Sequence, residues 1–125
     1  MAYGSFEDLE VWKRACRLAV KVNDVLRECR DYGLKDQMTR AAVSIASNIA
    51  EGAERGSSAD FIRFLHIAKG SSAELRTQVY IAQHTQLISK EVQDLLTQEL
   101  KALSSMLHSL IKSLRPSSKH LKLKT

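Results

Sequence analysis

The sequence predicts an all-α protein, an antiparallel up-down-up-down four-helix bundle. Its 125 residues include few aromatic side chains, one proline and five glycines, a composition that favours helix over sheet. Apolar residues recur at spacings of three and four along four long segments, which short turn signals separate. The length fits one domain. We assign residues 1–116 to the bundle and 117–125 to a mobile basic tail.

The first helix is predicted to begin at Ser5, whose hydroxyl can cap it, and to end near Asp31, Tyr32 and Gly33. Its inner face keeps a helical rhythm of apolar residues from Leu9 to Leu26. Two cysteines, Cys16 and Cys29, stand 13 positions apart on this segment, too far along one helix to pair with each other. We expect both to be buried free thiols.

The second helix, ending near Glu54, is the element around which the others are arranged. One stripe of apolar or small residues predicts its core face, namely Leu34, Met38, Ala41, Ile45, Ile49 and Gly52. A second set (Val43, Ala46, Ala50) lies on the opposite side. A helix that is apolar on two sides should be covered on two sides.

The third and fourth helices follow turn signals of their own. Ser57 with Asp60 reads as a capping box, and Ser89 should begin the last helix, which Pro116 ends. The core stripe of the third helix comprises Phe61, Phe64, Leu65, Ala68, Leu75, Val79 and Ala82. That of the fourth comprises Val92, Leu95, Leu96, Leu103, Met106, Leu107, Leu110 and Leu114, interrupted by Glu99.

The net charge of +5 is unevenly distributed. All of the excess lies in the last residues, which contain no acid after position 111: Lys112, Arg115, Lys119, Lys122 and Lys124. A second basic cluster, Lys13, Arg14, Arg17 and Lys21, lies on the outer face of the first helix. It is either a solvated helix face or a patch that contacts phosphates.

No pattern in the sequence indicates catalysis, a metal site or a cofactor. No glutamate is followed three residues later by histidine, no serine lies in a Gly-x-Ser-x-Gly turn, and no glycine-rich phosphate loop occurs. Polar residues on or beside the apolar stripes predict instead a hydrogen-bonded network between helices, with Asn48 bonded to Glu51, Ser71 or Glu74. The lack of a membrane-spanning run or signal peptide predicts a cytoplasmic protein with no membrane partner.

Several motifs resemble the bacterial four-helix-bundle proteins encoded in 23S ribosomal RNA intervening sequences. The likeness covers roughly residues 5–85. It rests on Phe6-x-x-Leu9-x-Val11-Trp12, Tyr32-Gly33-Leu34, Arg40-Ala41-Ala42, Asn48-Ile49-Ala50-Glu51-Gly52, Phe64-Leu65, Gly70-Ser71 and Glu74-Leu75.

That family is similar to the accessory variability protein of diversity-generating retroelements. The resemblance implies a homopentameric ring that binds nucleic acid. Exposed apolar residues on the second and third helices also predict cyclic assembly. The sequence therefore suggests a non-enzymatic protein that binds RNA or DNA through its basic residues, with the tail giving affinity and the first helix orientation. The alternative is a scaffold or accessory subunit whose partner is another protein.

Overall fold

The computed structural model describes residues 4–116, and within that range the protein is helical with no strand. A short 3₁₀ turn, Phe6–Asp8, precedes four helices. They are α1 (Glu10–Val25), α2 (Tyr32–Glu54), α3 (Ser58–His84) and α4 (Lys90–Leu114). The all-α prediction is confirmed. The predicted tail, 117–125, lies outside the described residues.

Side-chain caps fix where three of the helices begin. The side chains of Asp31, Ser57 and Ser89 each accept a hydrogen bond from a backbone N–H three residues on, which satisfies one of the donors that a helix leaves free at its first turn. Gly56, with φ 85°, turns the chain between α2 and α3 in a conformation that glycine adopts without strain.

The first helix is shorter than predicted at both ends. Ser5 caps the 3₁₀ turn, and Leu9 is extended, so that α1 begins only at Glu10. At the other end α1 stops at Val25, and Asp31 caps the following helix instead of ending this one. Gly33 belongs to the first turn of α2. Asp31 is more favourable as a helix cap than inside a helix, because its carboxylate accepts a hydrogen bond from a backbone N–H.

One hydrophobic core joins all four helices. It includes the α2 stripe from Met38 to Ile49, and every residue of the predicted α3 stripe is buried. Gly52 lies at a close approach of α2 to α3, because a Cβ placed there would lie 2.7 Å from Cβ of Phe64. The α2 and α3 faces were therefore predicted well.

The buried face of α4 is turned relative to the prediction. Leu95 is 48% exposed, whereas Leu100 and Ile111, outside the predicted stripe, are fully buried. A leucine-rich helix offers apolar residues on several rows, so its own sequence does not decide which row faces the core. Here α4 presents to the core the row that contains Leu100, Leu103, Leu107 and Ile111.

The second apolar side of α2 is covered in part by α1. A groove of about 390 Å³ separates the two helices, and its walls are almost entirely apolar. Ala46 is buried there, while Val43 is 49% exposed. The groove is lined by Phe6, Trp12, Cys16, Ala19, Val43, Ala46, Ser47 and Ala50. Packing of α1 against α2 thus buries Ala46 but leaves Val43 at the surface.

Within residues 4–116, no helix is both long enough and apolar enough to cross a membrane.

Candidate nucleic-acid interface

Half of the basic cluster on α1 is occupied by ion pairs within the protein. Arg14 donates from Nε and Nη2 to the two carboxylate oxygens of Glu99 on α4, at 2.9 Å each. Arg17 donates from Nη2 to Oε1 of Glu10 at 3.2 Å. Lys13 and Lys21 are exposed and form no ion pair within the described range. Of the four predicted phosphate contacts on this helix, two are thus neutralised by neighbouring acids.

The Arg14–Glu99 pair explains the acid that interrupts the predicted α4 stripe. The hydrogen bond from Arg14 lowers the pKa of Glu99, against a smaller opposing effect of burial, and the same bond raises the pKa of Arg14. Both groups are therefore charged at neutral pH. Both side chains are about one third exposed, so the pair stabilises the fold by about 1 kcal/mol at most.

A groove of about 750 Å³ lies beside this pair, between α1 and α4. Its charged lining residues are of both signs: Glu10, Arg14, Arg17, Lys21 and Glu99. Leu95 adds an exposed apolar wall. Carboxylates repel phosphate, so this groove is poorly suited to a nucleic-acid backbone.

A different surface, between α3 and α4, is basic without acids. A groove of about 450 Å³ lies there, lined by Lys69, Arg76, Lys101, Ser104, Ser105, His108 and Ser109. On α4 the row continues at helical spacing to Lys112 and Arg115, and Nη2 of Arg115 lies 3.4 Å from Nε2 of His66 on α3. We call this surface the α3–α4 basic face and define its cations as Lys69, Arg76, Lys101, Lys112 and Arg115.

None of these five cations forms an ion pair among residues 4–116. The seven ion pairs of that range all use other basic residues. The nearest acid in the same row of α4 is Asp94, two turns before Lys101. Its Oδ1 accepts a hydrogen bond from Nζ of Lys90 at 2.9 Å. The face therefore carries cations that are available for an external anion.

Sequence reasoning identified Lys112 and Arg115 but missed Lys69, Arg76 and Lys101. Lys112 and Arg115 were assigned to the tail region, whereas Lys112 belongs to the last turn of α4 and Arg115 caps it. The seven-residue spacing between Lys69 and Arg76 could have indicated a shared row. Their pairing with α4 could not be read without the packing of the two helices. Lys119, Lys122 and Lys124 lie outside the described residues.

The polar network around Asn48 is smaller than predicted. Asn48 is half-buried, and its Nδ2 donates within α2 to the carbonyl and hydroxyl oxygens of Ser44, at 2.8 and 2.9 Å. The Ser44 hydroxyl in turn lies 2.9 Å from that of Ser71 on α3. Glu51 is exposed and pairs with Arg55, and Glu74 is exposed. The link between α2 and α3 therefore runs through Ser44, because its short side chain faces the neighbouring helix.

Comparison with known proteins identifies the family of this chain. The family model of the 23S rRNA-intervening sequence proteins matches residues 7–109. The chain belongs to this family. The resemblance carried by the sequence motifs is thereby confirmed, and the matched range takes in α1 to α3 and most of α4. Lys112 and Arg115 fall just beyond it.

Among solved structures, a protein of unknown function from the S23 ribosomal protein family of Bacteroides thetaiotaomicron has the same fold. The TM-score is 0.77 and the sequence identity is 25%, with 82% of this chain and 98% of that chain covered. No curated protein sequence matches the chain.

In this member of the family, the described residues contain no group of three or more His, Cys, Asp and Glu side chains that could hold a metal ion. Both cysteines are free and half-buried, so they are less enclosed than predicted. Burial raises the pKa of the Cys16 thiol, with a smaller opposing effect of Arg17. A raised pKa disfavours the thiolate, the form that acts as a nucleophile.

Proposed function

We propose that this protein is a non-enzymatic nucleic-acid-binding protein, with RNA as its principal ligand. The observation that carries the proposal is the α3–α4 basic face, where unpaired cations from two helices line one groove that contains no carboxylate. Neutralising phosphates with lysine and arginine releases condensed counterions, and this release supplies most of the affinity of non-specific binding.

Two other basic segments supply further cations. Arg115 lies at the end of α4, directly before the three lysines of residues 117–125, so cations continue along the chain from the face. On α1, Lys13 and Lys21 are free for outer phosphate contacts, while Arg14 and Arg17 would first have to leave Glu99 and Glu10. We therefore rank the α3–α4 basic face above α1 as the docking surface.

We further propose that the helices form an up-down-up-down bundle in the cytoplasm and that the bundles assemble as a ring of five. Two contacts support an antiparallel arrangement of α2 and α3. Ser44 contacts Ser71, and Gly52, which is later in α2, contacts Phe64, which is earlier in α3. Exposed apolar side chains that a subunit interface would cover support assembly: Val43, Ile67 and Ile81. The family resemblance favours five subunits.

Binding to a structured RNA should weaken steeply with salt. In an anisotropy titration from 50 to 200 mM salt, log K should fall linearly with log[salt], with a slope of about −0.9 per phosphate contacted on a duplex. Deleting residues 117–125 removes three cations and should flatten that slope without loss of helical content. Absence of binding by the full chain at low salt would instead favour the alternative function, a protein–protein scaffold.

Assembly can be measured directly. Light scattering at micromolar protein should give a mass about five times the 14.0 kDa of one chain. Replacing Val43 with glutamate places a charge on the exposed apolar side of α2 and should reduce the mass, while the core, which Val43 does not enter, stays intact. A single 14.0 kDa species in the unmodified protein would contradict the assembly proposal.

A further inference from the structure

We propose that the α3–α4 basic face recognises the backbone of double-stranded RNA. This inference rests on the proposed nucleic-acid binding and goes beyond it by naming the ligand class and the surface that receives it. Three features of the face carry it: the rigid arrangement of its cations, the absence of a stacking platform, and the hydroxyl groups set between the charges.

The cations form two rows that are fixed by the helices. On α4 the row contains Lys101, Ser105, His108 and Lys112, spaced four, three and four residues apart, and Arg115 continues it. On α3 the facing row contains His66, Lys69, Ala73 and Arg76. At about 1.5 Å per residue, the α4 row is roughly 20 Å long. Phosphates of a duplex recur at a fixed spacing, so a rigid array can meet several at once.

The packing holds these rows in register. The Ser72 hydroxyl on α3 lies 3.5 Å from the carbonyl oxygen of Leu100 on α4, and His66 contacts Arg115 at the other end. Leu100, Leu103 and Leu107 are completely buried beneath the groove. The cations therefore project from a scaffold whose side chains are packed, and little ordering entropy is required of the backbone on binding.

No phenylalanine, tyrosine or tryptophan lines the groove. Proteins that bind single strands without sequence preference stack bases on such rings, which contribute about 1–3 kcal/mol per base. Phe61 and Phe64 of α3 are buried, and the ring of Phe64 faces the guanidinium groups of Arg55 and Arg63. Tyr80, which is 38% exposed, follows Arg76 by four residues on the same α3 row, but it does not line the groove. A groove with cations and no stacking ring between them suits a ligand whose bases are already paired and whose phosphates lie outward.

The hydroxyls favour RNA over DNA. Ser104, Ser105 and Ser109 line the groove, and their hydroxyls have no hydrogen-bond partner among residues 4–116. The wide, shallow minor groove of an A-form helix displays 2′-hydroxyl groups, which can donate and accept hydrogen bonds. Serine hydroxyls between lysines and arginines can therefore contact 2′-hydroxyls while the cations contact the phosphates on either side.

The test compares probes and variants by fluorescence anisotropy with the full-length chain. The probes are a 16-base-pair RNA duplex, the DNA duplex of the same sequence, and one strand of the RNA with the same label. We expect the RNA duplex to bind most tightly. Arg76→Ala with Lys101→Ala, on opposite walls of the groove, should weaken duplex binding about tenfold and reduce the salt slope by about 1.8.

A matched control removes the same kinds of charge elsewhere. Arg30→Ala with Lys35→Ala also deletes one arginine and one lysine, neither of them in an ion pair in the described range, and should change affinity less than threefold. Lys35 donates to the carbonyl oxygen of Arg27 at 3.2 Å, so this variant also removes one surface hydrogen bond. Arg76→Lys with Lys101→Arg keeps the charge and should retain binding, which distinguishes loss of contact from loss of fold. Circular dichroism checks that every variant keeps its helices.

The outcomes separate this inference from the proposed function. Single-stranded RNA bound as tightly as duplex, or DNA bound as tightly as RNA, would overturn the ligand assignment while leaving nucleic-acid binding in place. Equal affinity of the groove variant and its matched control would overturn the assignment of the face. Failure of the wild-type chain to bind any probe at 50 mM salt would overturn both proposals.

Discussion

Replacing Gly52 with alanine should destabilise the protein by about 1–3 kcal/mol. The new methyl group would lie 2.7 Å from Cβ of Phe64 and 3.3 Å from the carbonyl oxygen of Phe61. Both atoms are fixed to the backbone of α3, so relief requires α2 and α3 to move apart. That movement would disturb two phenylalanines that are almost completely buried. Urea unfolding monitored by circular dichroism measures the change.

Gly70 provides the matched control. It lies on the exposed side of α3, and a Cβ built there meets nothing within 4 Å. Alanine at this position should stabilise the protein by about 0.5–1 kcal/mol, since alanine loses less backbone entropy in a helix. Both substitutions raise helix propensity equally, so opposite signs isolate the steric effect at Gly52. A stabilising Gly52→Ala would show that the two helices can separate without cost.

Replacing Gln78 with methionine should raise stability by about 1 kcal/mol or more, and replacing Gln93 should raise it by less, because the Gln93 side chain also hydrogen-bonds the carboxylate of Asp94. Both glutamines are about 95% buried, one on α3 and one on α4. The Oε1 atom of each has no hydrogen-bond partner in the described part of the chain. A buried acceptor without a donor loses its bonds to water without replacement, whereas methionine fills a similar volume without that cost.

The comparison for these variants is Gln98→Met on the exposed side of α4, which should change stability by less than about 0.5 kcal/mol. The double variant tests whether the two glutamines interact, because neighbouring sites depart from additivity. Chemical unfolding at one fixed protein concentration avoids any contribution from assembly. Loss of stability in Gln78→Met would show that the Gln78 side chain does form favourable hydrogen bonds in solution.

These glutamines also show that buried polar residues are hard to identify from an apolar stripe in the sequence. Within residues 4–116 the buried polar side chains are Ser72, Gln78, Gln93 and Thr97, and all lie on α3 or α4. The sequence places Ser72 within the apolar stripe of α3 and Gln78 on or beside it, whereas Gln93 and Thr97 were not recognised. Glutamine is usually exposed, so its type alone does not indicate burial. The position of Gln93 became evident only once α4 was seen to present the row of Leu100 to the core.

Local signals in the sequence determined the helical class, most helix boundaries and the core faces of α2 and α3. Ser57, Ser89 and the stripe from Met38 to Gly52 act over one to a few turns, where side chains meet their own backbone or recur at helical spacing. The motifs around Asn48 and Gly52 are likewise short and local, and they were sufficient to identify the family. The end of α1 was mispredicted because Asp31 can close one helix or cap the next, and both choices are local.

Only the tertiary structure decided which charges remain available. In the sequence Arg14 belongs to a basic cluster, but in the structure Glu99 of α4 pairs with it. Lys69, Arg76 and Lys101 line a common groove because α3 packs against α4. The physical reason is that a charge is compensated by an opposite charge within about 4 Å, and residues far apart in sequence can meet at that distance. Local sequence patterns thus determined where the helices form, and the packing of the helices determined which charged surface is available to a ligand.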